Sequence, residues 1–352
     1  MNKIYHICLV GSILLLFNAF CFSQITGGRN TYDFLNLSYS ARITGLGNAA
    51  IAIYDNDISL VHQNPAALNS SMHKSVSVQQ SVYFAGITHG LAAYAHQIKD
   101  KPFMLYGGIQ YVSYGNFVRT NNIGETQGNF GASEFALSAA FSYEATDRWS
   151  FGSQQKIILS YLEGYNSVGW ASDWAMMYRD TSKKIVVSFV LKNAGTQIST
   201  YNRDKNFQPL PFDAQLGFSH KLKYLPLRFS VIAHHLHQWN LLYDDPALAE
   251  QNILGGAVEE TNTAGIVVDN IFRHFIFNIE LLLGKKEVFR LRLGYDRMRQ
   301  GEMNVNGLRG MAGFSTGLGI RVYKFNVDYG LSIHHLGGIM HHFGISTRFT
   351  DF

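Results

Sequence analysis

Cysteine is nearly absent from this chain. Its two residues, Cys8 and Cys21, both lie within the first 23 positions. If that segment is removed, no disulfide, zinc–thiolate site or cysteine nucleophile is left. Charge is scarce too: 15% of residues are charged, against about 25% in an average soluble domain. The formal net charge of +4 is too small to argue for a nucleic-acid partner. Beyond the N-terminus no stretch reaches the ~18 uninterrupted apolar residues that a transmembrane helix needs. Proline is rare, with 6 residues, whereas glycine numbers 33 and aromatics make up 14%. The mean hydropathy of −0.03 is what a chain gives when each strand is apolar on one side and polar on the other.

The N-terminus reads as a targeting segment. Lys3 supplies a positive start, residues 7–17 ("ICLVGSILLLF") an apolar run, and Cys21-Phe22-Ser23 small residues at −3 and −1. This is the layout of a secretory signal peptide over residues 1–23, cleaved before Gln24. Bulky Phe20 stands where a lipoprotein signal at Cys21 needs a small residue. Without Lys3 the net charge falls from +4 to +3.

From residue 76 onward apolar and polar residues alternate with period two. In "FRLRLGYDR", Phe289, Leu291, Leu293 and Tyr295 share one face, and Arg290, Arg292, Gly294 and Asp296 the other. About fourteen such stretches follow one another up to residue 350, several long enough to cross a bilayer when tilted. Short turns are expected at 99–102, 146–148, 181–184, 222–226, 284–286 and 323–324. Longer loops are expected at 118–131, 163–167, 195–210, 240–270 and 299–311. Short turns at one end and long loops at the other are the signature of an outer-membrane barrel. A secreted β-sandwich or propeller would share the aromatics, but not the strand lengths, the even count or the terminal Phe352. The chain therefore reads as all-β, a transmembrane antiparallel β-barrel over residues 74–352, closed because lipid tolerates no unpaired edge.

Register follows from the turns. A three-residue turn at 284–286 predicts Glu280 opposite Arg290 and Asn278 opposite Arg292. A two-residue turn at Tyr323-Lys324 predicts Arg321 opposite Asn326. Glu280, Arg290, Arg292, Arg321 and Asp328 then all face the lumen, holding a polar interior together or cradling an anion among the three arginines. In 148–162, Gln155 and Lys156 fall on opposite faces, which suggests a bulge.

Residues 24–73 do not alternate. They mix glycines and small residues with an acidic turn (Asp55, Asn56, Asp57), and are expected to form a plug, or hatch, inside the lumen. The stretch "HQNPAALN" closes this segment. Pro65 fixes φ and Asn64 is a natural turn or cap residue. "NPAAL", following Asp57, resembles the Asn-Pro-Ala motif of FadL-type barrels, which implies fourteen strands around an N-terminal hatch. "GGRNTYDFLNLSYSAR" (27–42), "GLGNAAI" (45–51), "DISL" (57–60), "QNPAALN" and "AGITHGLAAYA" (85–95) are similar to the PorQ family of type IX secretion components. The residues carrying this likeness are Gly27, Gly28, Arg29, Tyr32, Phe34, Leu35, Arg42, Asp57, Asn64, Pro65 and Ala66. Asn48 and Ala67 depart from the pattern, which has Gly and Leu there. The related PorV family shares the barrel type, but the Gly-Gly-Arg…Tyr-x-Phe-Leu opening favours PorQ.

The resemblance implies a non-enzymatic part of the type IX attachment complex in the cell outer membrane. It would hold a PorZ-like peripheral protein at the surface, beside a PorU-like sortase and a PorV-like barrel. The alternative is a FadL-like outer-membrane channel for small hydrophobic compounds. A scaffold needs a sealed barrel and a partner-binding rim, whereas a channel needs an apolar pocket and a way past the hatch. The acidic loop at 240–270, with Asp244, Asp245, Glu250, Glu259, Glu260 and Asp269 and no Lys or Arg, is the candidate docking surface. "DDPALAEQN" within it could start a short helix.

The 14 histidines invite a metal reading. A three-residue turn at 337–339 pairs His334 with His342 toward the lumen and His335 with His341 toward lipid. No carboxylate completes a ligand set by sequence there or at His234, His235 and His237, so these read as amphipathic interface residues, with no metal and no cofactor expected. Serine and histidine are plentiful, but no spacing singles out a nucleophile.

Overall fold

The computed structural model describes residues 30–98, 101–202, 206–242, 263–285, 287–303, 310–335 and 338–349. Residues 1–29, which hold the expected signal peptide and Gly27, Gly28 and Arg29, lie outside them.

Fourteen antiparallel strands close into one barrel in sequence order, with β1 beside β14. They are β1 (Ser75–Val82), β2 (Thr88–Gln97), β3 (Phe103–Thr120), β4 (Thr126–Glu144), β5 (Trp149–Leu162), β6 (Tyr165–Asp180) and β7 (Ile185–Ser199). The second half comprises β8 (Asp213–Lys221), β9 (Leu227–Ala233), β10 (Phe275–Leu283), β11 (Phe289–Asp296), β12 (Phe314–Val322), β13 (Phe325–His335) and β14 (Gly338–Arg348). The period-two pattern sorts side chains as the pleat requires. Leu105, Ile109, Leu137, Phe141, Leu291 and Leu293 point outward and exposed, while Ser142, Lys156, Glu280 and Arg292 point inward and buried. Aromatic pairs such as Phe103–Tyr143 and Trp149–Tyr178, with rings 5.2 and 4.9 Å apart, lie at the short-turn end. No helix among the described residues is long and apolar enough to cross a membrane.

The Tyr323-Lys324 turn has two residues, and Arg321 lies opposite Asn326. Three local expectations fail. Leu283 and Phe289 are the last pair of their hairpin, so the turn spans 284–288 and Glu280 faces Arg292, not Arg290. Gly284 and Glu287 both take positive φ there, which widens the turn. The shift is by two residues, so every side chain keeps its face. Residues 118–131 and 163–167 are not long loops: β3 and β4 run on to Thr120 and from Thr126, and Glu163-Gly164 is a tight turn. Nor does β5 carry a bulge, since its pairing with β4 and β6 is continuous. The irregularity sits across from it on β7, where Lys192 and Asn193 together oppose Asp173.

Residues 30–74 hold no strand. They form a short helix, α1 (Ala41–Gly45), and 3-10 turns at Asp33–Asn36, Ile58–Leu60, Pro65–Ala67 and Ser70–Met72. Ile43, Leu46, Leu60, Val61 and Leu68 are fully buried, and the turns and helix of this segment touch β1, β2, β4–β6 and β11–β14. The fold thus carries its core inside the barrel, between segment and wall.

Candidate functional site

The Asn-Pro-Ala stretch is the seat of the segment on the wall. Asn64 caps the 3-10 turn Pro65–Ala67: its Oδ1 accepts from the Ala66 N–H at 2.9 Å, and its Nδ2 donates to the Ile51 carbonyl at 2.6 Å. Ser150 Oγ on β5 donates to the Ala66 carbonyl at 2.8 Å. Beside it, a Cβ added at Gly152 would stand 2.3 Å from the Pro65 carbonyl carbon. Only glycine lets the turn approach this closely.

The lower half of the lumen is organised by charge. Arg42, on α1, is 2% exposed and reaches Asp55 at 2.7 Å, Asp57 at 3.0 Å and Glu280 at 3.0 Å. Register builds the other half: Glu280 on β10 is the cross-strand partner of both Arg228 on β9 and Arg292 on β11, with N–O distances of 2.8 and 2.9 Å. Arg292 also reaches over β12 to Asp328 on β13 at 2.6 Å. The crossing is open because β12 has Gly319 there, where a Cβ would lie 2.5 Å from Asp328 Oδ1. Three guanidiniums and four carboxylates thus form one network joining hatch to wall. Burial opposes the charge on Asp55, but Arg42 and Arg228 outweigh it and hold its carboxyl well below the usual range. Burial likewise opposes the charge on Arg42, and Asp55, Glu280 and Asp57 more than restore it.

Of the lumen charges expected from sequence, Glu280, Arg292 and Asp328 meet. Arg290 donates instead to the Glu287 carbonyl at 3.2 Å. Arg321 lines a small cleft with Asn56, Ser75 and Lys324. No three-arginine cradle for an anion forms, because Arg292 is taken up by Glu280 and Asp328. Asp55 and Arg228 were not singled out by sequence; Asp55 sat in the acidic turn, and Arg228 becomes visible only once β9 is paired. Missed also is Lys156–Asp173, fully buried and 2.6 Å apart in mid-barrel, where the β7 bulge turns the Asn193 N–H onto Asp173 at 2.7 Å.

Tyr32, Phe34 and Leu35 join Leu91, Met104 and Tyr106 in an apolar cluster between hatch and wall. At the loop end, residues 263–270 of the expected acidic loop belong to a helix, α2 (Thr263–Arg273). Asp269 is no free docking charge: it holds Arg273 at 2.8 Å and Arg297 with its Nε at 2.9 Å. Burial opposes its charge, and the two arginines keep its carboxyl below the ordinary value. Asp244, Asp245, Glu250, Glu259, Glu260 and the expected "DDPALAEQN" helix lie outside the described residues.

The expected histidine pairs do not form. His342 lies opposite Gly330 and His341 opposite Leu331, because the strands pair with Ile333 opposite Ile339 and the register shifts between Ile333 and His335. His342 Nδ1 is 3.0 Å from Thr44 Oγ1 of the hatch, while His341 faces outward to Tyr329 Oη at 2.8 Å. At the end of β9, Asp213 joins His234 and His235, the carboxylate that sequence spacing did not supply.

No protein-family profile matches the chain, and no curated protein does. Solved structures do. The Pseudomonas putida toluene transporter TodX superposes with a TM-score of 0.51 at 11% identity, covering 88% of this chain and 96% of TodX. A TodX variant described as a monoaromatic hydrocarbon channel gives 0.53 at 12% identity over 88% and 97% of the two chains. CymD, another monoaromatic hydrocarbon channel, gives 0.50 at 13% identity over 91% and 99%. At such low identity the likeness speaks for the fold: this chain has the fourteen-stranded FadL-like barrel fold that those hydrocarbon channels share.

Proposed function

We propose that the protein is an outer-membrane channel of the FadL-like kind, passing small hydrophobic compounds through a barrel closed by its N-terminal hatch. The observation that carries this reading is the apolar surface that hatch and wall build together, where Tyr32, Phe34 and Leu35 meet Leu91, Met104 and Tyr106. An apolar solute would lie along it once the hatch shifts, and polar solutes would find no such lining. The fold alone does not assign this activity; the lining and the near-complete overlap with two hydrocarbon channels support it together. The test is uptake of a labelled monoaromatic hydrocarbon by cells carrying the folded barrel in their outer membrane. Uptake several-fold above vector-only cells supports the channel, and equal uptake in both sinks it.

A second reading is favoured by a different observation. The hatch is tied to the wall by the buried Arg42 network, and the rim helix α2 leaves Ile266, Val267, Val268, Ile271 and Phe272 exposed. A locked barrel with an apolar rim suits a scaffold for a surface partner, as the resemblance of residues 27–95 to the PorQ family implies. Here the protein would anchor a PorZ-like peripheral protein near a PorU-like sortase and a PorV-like barrel in the type IX attachment complex. A mild-detergent pull-down from native outer membranes separates the two. Co-recovery of a sortase and a peripheral partner, lost on shortening residues 240–270, supports the scaffold; recovery of the barrel alone, carrying an apolar ligand, supports the channel.

A further inference from the structure

A cluster at the loop-side mouth of the β8–β9 hairpin is used by neither reading. Asp213 opens β8, and His234 and His235 follow directly on β9. The hairpin register, with Leu216 opposite Ala233, brings these two ends level. His235 takes a left-handed backbone, φ 54°, uncommon outside glycine, and its N–H donates to Asp213 Oδ1 at 2.6 Å. This bend aims both imidazoles at one point. Their Nδ1 atoms lie 2.5 Å apart, and Asp213 Oδ2 stands 4.0 Å from that of His235.

The site is built, and protein contacts leave it incomplete. His234 is 4% and Asp213 6% exposed. A neutral imidazole has one donor and one acceptor nitrogen, so the facing pair satisfies at most one nitrogen of each ring. His234 Nε2 is buried with no partner among the described residues. Around the cluster, Gln215 Nε2 donates to Asp213 Oδ2 at 2.6 Å, and His274 Nδ1 lies 2.9 Å from the His234 carbonyl. Outer contacts of this kind orient metal ligands.

We propose that Asp213, His234 and His235 form a binding site for a divalent first-row transition-metal ion, best suited to zinc. Two imidazoles and one carboxylate fit Zn²⁺, whereas Mg²⁺ and Ca²⁺ call for all-oxygen shells. Ligands about 2.0–2.1 Å from a tetrahedral ion stand about 3.3 Å from one another. The separations of 2.5 and 4.0 Å straddle that span, so small ring rotations complete the triangle. Three protein ligands leave a fourth position open on the side of His235, whose side chain is 27% exposed; water or an external ligand would take it. The ion would clamp the β8–β9 hairpin to the long connection before β10, whichever function the barrel serves.

The test is calorimetric titration of ZnCl₂ into the full chain, purified in detergent and stripped with EDTA. The expected result is one equivalent bound with micromolar or tighter affinity, undisturbed by millimolar Mg²⁺. Asp213→Asn and His235→Gln should each weaken it by at least about tenfold. His96→Gln, which removes the exposed ring of the His73–His96 pair, should not. Heat-modifiable gel mobility reports that each barrel is folded. If Asp213→Asn fails to fold, the partly exposed His235 decides through His235→Gln alone. Absence of stoichiometric binding, or unchanged affinity in His235→Gln, overturns the proposal.

Discussion

Arg42 is held by three carboxylates from two parts of the chain, and its removal would leave Asp55 and Glu280 buried with part of their countercharge gone. Arg42→Ala is expected to destabilise the barrel by about 3–5 kcal/mol, the usual cost of breaking a buried pair from one side. Urea unfolding followed by gel mobility checks this; a change under ~1 kcal/mol would show the network to be dispensable. The same site sets a pH dependence. Asp55 has its folded pKa held below the ordinary carboxylate value, so its contribution is fully present above about pH 4 and is lost as pH falls below it. The unfolding midpoint should drop as pH falls below about 4, and drop less in Arg42→Ala, where part of the countercharge is missing. A midpoint equally acid-sensitive in both proteins would place the dependence elsewhere.

For single elements, the decisive contacts are between the Asn-Pro-Ala turn and β5. The would-be Cβ at Gly152 lies 2.3 Å from Pro65, so Gly152→Val must push the turn off the wall or distort β5, a cost of at least about 1–3 kcal/mol. Residues 30–74 are then expected to become protease-sensitive while the strands stay protected. Limited proteolysis with mass mapping reads this, and a cleavage pattern like that of wild type would mean the seat is not at Gly152. Asn64→Ala removes the cap on Ala66 and the bond to Ile51, and should cost about 1–2 kcal/mol. A similar logic applies across β12, where Gly319 leaves room for Arg292 to reach Asp328.

On the scale of the whole molecule, the hatch packs against the inner wall and joins its charge network. Deleting residues 30–72 would remove Arg42, Asp55 and Asp57 together, leaving Arg228, Glu280, Arg292 and Asp328 lining an emptied barrel. A wide barrel emptied in this way holds water, so the deleted protein should give large ion currents in planar bilayers where the full chain gives little. Equal currents from the two would mean that the hatch does not close the lumen. The zinc site and the rim helix lie at the loop end, away from the Arg42 network, and neither bears on that outcome.

The period-two alternation in stretches such as "FRLRLGYDR" already determined that the chain is a closed barrel of about fourteen strands, and which residues face inward. The pleat imposes that pattern locally, residue by residue, and slips of two residues leave it intact. This is why Glu280 kept its face although its expected partner Arg290 was wrong, and His342 its lumen face although His334 was not its partner. The tertiary structure alone decided which inward charges meet. The positive φ of Gly284 and Glu287 in one hairpin, and the register shift between Ile333 and His335 in another, are backbone features that no pattern of apolar residues encodes. The joining of Arg42 to Glu280 spans 238 positions, and that of Asp213 to His234 needs the β8–β9 register. Such pairings exist only once the barrel has closed around its own N-terminal segment.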